Sequence, residues 1–169
     1  NEGSMCGNGG RCLTQFAHDM GIKKEHYLFD AVDGLHEASI DHHGLVHLKM
    51  IDVNEVHHGD GFHTTNTGSP HYIKMVNNVN AMDVYNEGYT IRNSDTFKKD
   101  GINVNFVEQQ PNQLFVRTFE RGVENETYSC GTGVTAAALI SCLHKEGKHI
   151  VPIETLGGKL SVELNHSGG

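Results

Sequence analysis

Two cysteines stand in the same local setting. "SMCGNG" places Cys6 before Gly7, Asn8 and Gly9, and "SCGTG" places Cys130 before Gly131, Thr132 and Gly133. Each copy opens an apolar run. Glycines let backbone N–H groups come close to a bound atom. Where such a stretch starts a helix, the first N–H groups and the helix dipole favour negative charge. A cysteine in that setting is easier to deprotonate, its pKa falling from about 8.5 into a range of roughly 3.5–7.5. Each motif therefore couples a thiol suited to proton transfer with an anion cradle beside it.

One such motif is commonly a turn with a buried cysteine. Two, at matching places in a duplicated chain, suit a particular reaction. Inverting a stereocentre removes a proton from one face and delivers one to the other. A thiolate and a thiol on opposite sides of a carbon can do both. The obstacle is the weak acidity of an amino acid's Cα–H. Two helix starts converging on the α-carboxylate would stabilise the charge that develops as the proton leaves. This chemistry requires no pyridoxal phosphate, and no cofactor is expected.

The elements must hold both motifs in place. From Cys6, the residues Leu13, Phe16, Ala17 and Met20 recur at helical spacing and predict one buried face, with Gly21 as the stop. "HYLFDAVDG" reads as strand and turn. "LHEASI" and "LVHLKM" bracket "DHHG" as a hairpin. The polar stretch from Asn54 to Gly68 reads as a linker or loop. "HYIKMV", "INVNFVEQ" and "QLFVRTFE" are strands, and "AMDVYNEGYTIRNS" is helical in part. A second motif helix runs from about Cys130 to Lys145. It is apolar on nearly every face, so other structure must enclose it. "HIVPIETLGGKLSVEL" closes the chain as a hairpin on a two-glycine turn.

The halves correspond: Cys-Gly-x-Gly, a helix, then paired strands. The expected domains are residues 1–54, an incomplete first domain, and 55–169, a second. Only five residues precede Cys6, so the chain reads as a fragment of a longer protein.

Composition sets the outer limits. The chain has 169 residues, 37% hydrophobic and 20% charged, which suits one or two small globular domains. Its formal charge is −8, with no patterned basic stretch, so nucleic acid is not an expected partner. No apolar run is long enough for a transmembrane helix. Four cysteines are too few for a disulfide scaffold, and their spacings fit no common zinc pattern. The 13 histidines, with doublets at His42-His43 and His57-His58, lack a Cys or carboxylate set at ligand spacing, so no metal is expected. Cys12 and Cys142 read as buried packing residues.

"MCGNGGRC" and "ERGVENETYSCGTG" resemble the diaminopimelate epimerase family, and "GSPHYIKMV" and "GINVNFVE" follow in that family's order. The resemblance implies an α/β (α+β) fold of two pseudo-symmetric domains, each a strand-rich barrel-like sheet around a central helix. It implies interconversion of LL- and meso-diaminopimelate, for lysine and peptidoglycan precursors, by a cytoplasmic enzyme compatible with a homodimer. Carried over by motif, Cys6 and Cys130 are the acid/base pair. Gly7, Asn8, Ser69, Asn103, Glu120, Arg121, Gly131 and Thr132 are substrate contacts, and His71 and Glu120 tune the cysteines. Arg121 suits a carboxylate through its paired donors. Two features depart from the family: Ser69 stands where it commonly has Asn, and its early substrate-binding residues would precede Asn1.

Other readings stay open on the residues alone. A proline or hydroxyproline racemase would share the double motif, but resembles "MCGHG" at the first copy and lacks Glu120-Arg121. A non-catalytic anion binder would use the helix starts, yet neither copy has the Lys-Ser/Thr of a P-loop or the Rossmann spacing. A thiol redox protein would pair Cys6 with Cys130.

Overall fold

The computed structural model describes residues 5–167. It divides into two compact units, one ending at Asp52 and the other beginning at Val53.

In the first unit, α1 (Gly7–Asp19) is followed by β1 (Tyr27–Ala31), β2 (Gly34–Ile40) and β3 (Val46–Leu48). The strands form an antiparallel sheet in chain order, with the "DHHG" hairpin pairing Ile40 with Val46. Asp41 shapes that turn: its carboxylate accepts from the backbone N–H of His43 and Leu45 and contacts His47. α1 packs on β2 and β3, but not through the predicted face. Leu13, Phe16 and Met20 are 48%, 62% and 67% exposed, while Gly7, Gly10 and Thr14 are buried. The reason is close approach. At Gly10 an added Cβ would meet Leu48 and Phe29 at 3.0 Å, so only small residues fit the seam. The apolar stripe has the predicted period, but the three-stranded sheet covers the other face. Cys12, expected to be buried, is exposed for the same reason.

The second unit is a strongly mixed eight-stranded sheet. Its strands are β4 (Val56–His58), β5 (His63–Asn66), β6 (Pro70–Val76), β7 (Asn103–Gln109), β8 (Leu114–Glu120), β9 (Asn125–Thr127), β10 (Gly147–Thr155) and β11 (Gly158–His166). They run in the order β11-β10-β8-β7-β6-β5-β4, with β9 paired to β8. The stretch Asn54 to Gly68 is therefore a hairpin of this sheet and not a linker. Its alternation is carried by Thr and His, which hides it from an apolar pattern: Thr65 is buried and its hydroxyl donates to the Glu55 carbonyl at 2.8 Å.

The strands β6, β7 and β8 are buried on both faces. One face carries Tyr72, Val104, Phe106, Phe115 and Phe119. It packs under a 3₁₀ turn at Val79–Ala81 and α2 (Val84–Arg92). Gly88 lets α2 lie directly on Phe119, because any side chain there would overlap the ring. The other face carries Ile73, Val107, Leu114 and Val116 against α3 (Gly131–Ser141). α3 is buried on nearly every side, as its composition predicted, and touches β5, β6, β7, β8 and β11. It ends at Ser141, about a turn before the expected Lys145, and Gly147 begins β10. The sheet curls around α3 as a half-barrel, the expected α/β arrangement.

Candidate functional site

Both motif cysteines are helix N-caps. Cys6 precedes α1 with φ −111° and ψ 107°, and Cys130 precedes α3 with φ −117° and ψ 112°. These near-identical extended conformations follow from the shared sequence: a non-helical cap and a glycine at the first helical position. The surroundings differ. Cys6 is exposed, and its Sγ accepts the Gly9 backbone N–H at 3.4 Å. Cys130 is buried, and its Sγ lies 3.4 Å from the Thr132 hydroxyl. All four cysteines are unbridged.

Near Cys6, Gly7 is buried, and Asn8 Oδ1 accepts from Arg11 Nη2 across the first turn. Around Cys130 the site is built by strand alternation. His71 and Ile73 share one face of β6, Asn103, Asn105 and Val107 one face of β7, and Val116 and Thr118 one face of β8. Parallel pairing sets His71 beside Asn103 and Ile73 beside Asn105, and antiparallel pairing sets Asn105 beside Thr118. The apolar members pack the body of α3, and the polar members gather at its N-terminus.

His71 is fully buried. Its Nε2 lies 2.9 Å from the Thr132 hydroxyl and its Nδ1 3.0 Å from Asn105 Nδ2. Burial, and secondarily the Arg121 charge, pulls its pKa from 6.5 down to about 3. It is a neutral imidazole at physiological pH. Thr132 is tied further: its backbone carbonyl accepts from the Thr67 hydroxyl at 2.8 Å.

Ser69 and Asn103 form a second knot. Asn103 Nδ2 donates to Ser69 Oγ at 2.6 Å and to the Pro70 carbonyl at 2.9 Å, and Asn103 Oδ1 accepts the Arg121 backbone N–H at 2.9 Å. Both side chains are buried. Asn103, predicted to touch substrate, thus also fixes where β8 hands over to Arg121. Arg121 itself donates from Nη1 to the Asp100 carbonyl at 3.1 Å and lies over Gly101, whose φ of +72° and close approach admit no side chain. Glu120 is half-buried, its Oε2 accepting from Thr127 Oγ1 at 2.9 Å.

The structure therefore gathers Ser69, His71, Asn103, Thr132 and Cys130 in the second unit, with Glu120 and Arg121 following from β8. Sequence reading missed Asn105, Thr118 and Thr67. A signal for Asn105 was present: two asparagines alternate in "NVNFV", a strand otherwise apolar, and buried polar residues require partners. Among the described residues no group of three or more His, Cys, Asp or Glu side chains could hold a metal ion. No described helix is long and apolar enough to cross a membrane.

The sequence profile described as diaminopimelate epimerase matches residues 63–169. The protein named diaminopimelate epimerase in Flavobacterium psychrophilum is 46% identical over 167 residues, covering 98% of this chain and 65% of its own length. The protein of that name in Chlorobaculum tepidum is 43% identical, covering 93% of this chain and 65% of its own length. In Hydrogenobaculum sp. the figures are 36%, 92% and 61%. The chain thus spans under two thirds of the length of these relatives. The fold is similar to a Bacillus anthracis phenazine biosynthesis protein of the PhzF family, with TM-score 0.71 and 11% identity, over 96% of this chain and 68% of that one.

Proposed function

From the premise that the chain belongs to the diaminopimelate epimerase family, we propose that its parent protein interconverts LL- and meso-diaminopimelate by a two-cysteine acid/base mechanism. In each direction one cysteine, as thiolate, takes the Cα proton. The electron pair left on Cα passes into the adjacent carboxylate. The other cysteine, as thiol, then delivers a proton to the opposite face and becomes the thiolate. The stereocentre is inverted and no atom is gained or lost.

The observation that carries this reading is the matched pair of N-caps. Cys6 and Cys130 have the same backbone conformation at the starts of α1 and α3. Backbone N–H groups at both helix starts are suited to the substrate carboxylate, whose charge grows in the transition state. Gly7, Asn8, Gly131 and Thr132 line these starts, and Arg121 and Glu120 complement a carboxylate and an ammonium. Ser69 and Asn103 shape the site, and His71 and Glu120 tune the thiols. The mechanism calls for no cofactor or metal, and a homodimer is compatible with it.

The test is Cα proton exchange in deuterated water by the full-length protein, with diaminopimelate and with proline as substrates. Exchange of diaminopimelate alone supports the reading. Exchange of proline alone replaces it with a proline-racemase reading, and activity that rises on cysteine oxidation replaces it with a redox one.

A further inference from the structure

Asn105 belongs to no part of the motif-derived site, yet it is fully buried and makes three hydrogen bonds there. Its orientation is fixed by chemistry. The Tyr72 carbonyl, 3.0 Å away, can only accept, so the nitrogen of the amide must face it. The Thr118 hydroxyl donates to Oδ1 at 2.9 Å from the other side. The second N–H of the same nitrogen points at His71 Nδ1, 3.0 Å away. A ring nitrogen that accepts a hydrogen bond carries no proton. The proton of the neutral imidazole therefore sits on Nε2, which faces the Thr132 hydroxyl at 2.9 Å. The Thr132 oxygen accepts it, which leaves its own hydroxyl proton free to be donated to a Cys130 thiolate, the Sγ lying 3.4 Å away.

We propose that Asn105 is a positioning residue: it locks His71 in the Nε2–H tautomer and so directs the hydrogen bonds from His71 through Thr132 toward the Cys130 sulfur. The opposite tautomer would reverse the chain. Nε2 would accept from Thr132, and the hydroxyl proton would turn away from sulfur. Donors aimed at a thiolate favour it over the thiol. Gly133 serves the same arrangement, since a Cβ there would collide with Asn105 Oδ1. The proposal's bearing on turnover rests on Cys130 acting as an acid/base group. The tautomer itself does not.

The experiment is long-range ¹H–¹⁵N NMR of the histidine rings in the labelled 169-residue chain, with the His71 signals assigned by their loss in His71→Gln. Nδ1 should show the unprotonated and Nε2 the protonated shift, unchanged from mildly acidic to mildly alkaline pH. Asn105→Asp replaces the donor by an acceptor and should move a proton onto Nδ1. Thr132→Val should leave the tautomer as it is. A protonated Nδ1 in the wild type overturns the proposal, as does an Nδ1 still unprotonated in folded Asn105→Asp, or a reversed tautomer in Thr132→Val. Should Asn105→Asp fail to fold, the wild-type tautomer and Thr132→Val still decide. In the full-length protein Asn105→Asp should lower kcat roughly tenfold with KM little changed. A change confined to KM would overturn the positioning role. Failure of the two-thiol reading shows separately, as normal Cα exchange in Cys130→Ser.

Discussion

Asn105 Oδ1 occupies the space that a side chain on residue 133 would need: a Cβ built on Gly133 falls well inside 3.0 Å of it, and 3.3 Å from Cys130 Cβ. The last glycine of the second motif is thus required by a neighbouring strand and not by the helix. The corresponding glycine of the first motif, Gly9, is under no such pressure. Its Cβ would meet Cys6 at ordinary distances of 3.5 and 3.7 Å.

The two glycines should therefore respond to alanine with opposite signs. Gly133→Ala overpacks a buried contact and should destabilise by about 1–2 kcal/mol, after the gain in helix propensity is subtracted. Gly9→Ala, at a helical position with room, should be neutral or stabilise by up to about 1 kcal/mol. Urea denaturation of the two variants measures both. Equal destabilisation would show that the motif glycines serve one common purpose.

The cysteines make a sharper functional contrast. In the full-length protein, Cys6→Ser and Cys130→Ser should each lower Cα proton exchange by roughly 10²–10⁴-fold or more, because a hydroxyl is a far weaker acid/base partner than a thiol. Cys12 is exposed and Cys142 lies in the core beyond α3. Cys12→Ser should leave exchange within about twofold, since a surface substitution far from charge or packing does little. The deuterium content of recovered diaminopimelate is the readout.

Much of this arrangement was legible in the chain. The matched N-caps follow from a repeated motif, and the enclosed helix follows from a run with no polar face. What failed did so for physical reasons. The stripe of Leu13, Phe16 and Met20 has a helical period, but periodicity says only that a face is apolar, not that the sheet beside it will cover it. The β4–β5 hairpin carries its alternation in Thr and His, which are also loop residues. Within the site, the tie between Asn103 and Ser69 and the tie between Asn105 and His71 depend on strand register. Register joins residues more than thirty positions apart, and no local pattern encodes which polar side chains will meet.

Arg117 illustrates a polar residue that holds the frame and not the chemistry. It lies on β8, mostly buried, with Nε and Nη2 paired to both Glu126 oxygens at 2.6 and 2.8 Å. Its Nη1 reaches the carbonyls of Val79 and Met82 at 2.8 and 3.1 Å, tying the 3₁₀ turn to the sheet. The Glu126 carboxylate holds its pKa above the ordinary value. Arg117→Met should cost about 3 kcal/mol, because Glu126 is left half-buried without its partner. Arg117→Lys should recover only part of that, since one ammonium cannot fork across a carboxylate and also serve two carbonyls. Denaturant midpoints of the two variants, with Glu126→Gln added to Arg117→Met as a cycle, separate the pair from the carbonyl contacts.

The buried imidazole gives the fold a pH dependence of known sign. His71 has a folded pKa of about 3 against an ordinary 6.5, mainly through burial and secondarily through Arg121. Below 6.5 the unfolded chain takes up a proton that the folded chain refuses, so unfolding binds protons. The stabilisation is complete above the unfolded pKa, declines as pH falls below 6.5, and is exhausted once the folded form also protonates near 3. Across that window the loss is on the order of several kcal/mol. Asp41, held near 2 chiefly by its hydrogen bond to His47, adds a loss of the same sign only below its ordinary 3.8. Above 3.8 Asp41 no longer contributes, and between pH 7 and pH 5 the fully buried His71 dominates, with His63, also lowered mainly by desolvation, adding a smaller loss of the same sign. Urea melts near pH 7 and pH 5 should show the wild type losing about 2 kcal/mol. His71→Gln, destabilised overall, should lose distinctly less over the same interval. A variant as pH-sensitive as the wild type would place the titrating group elsewhere.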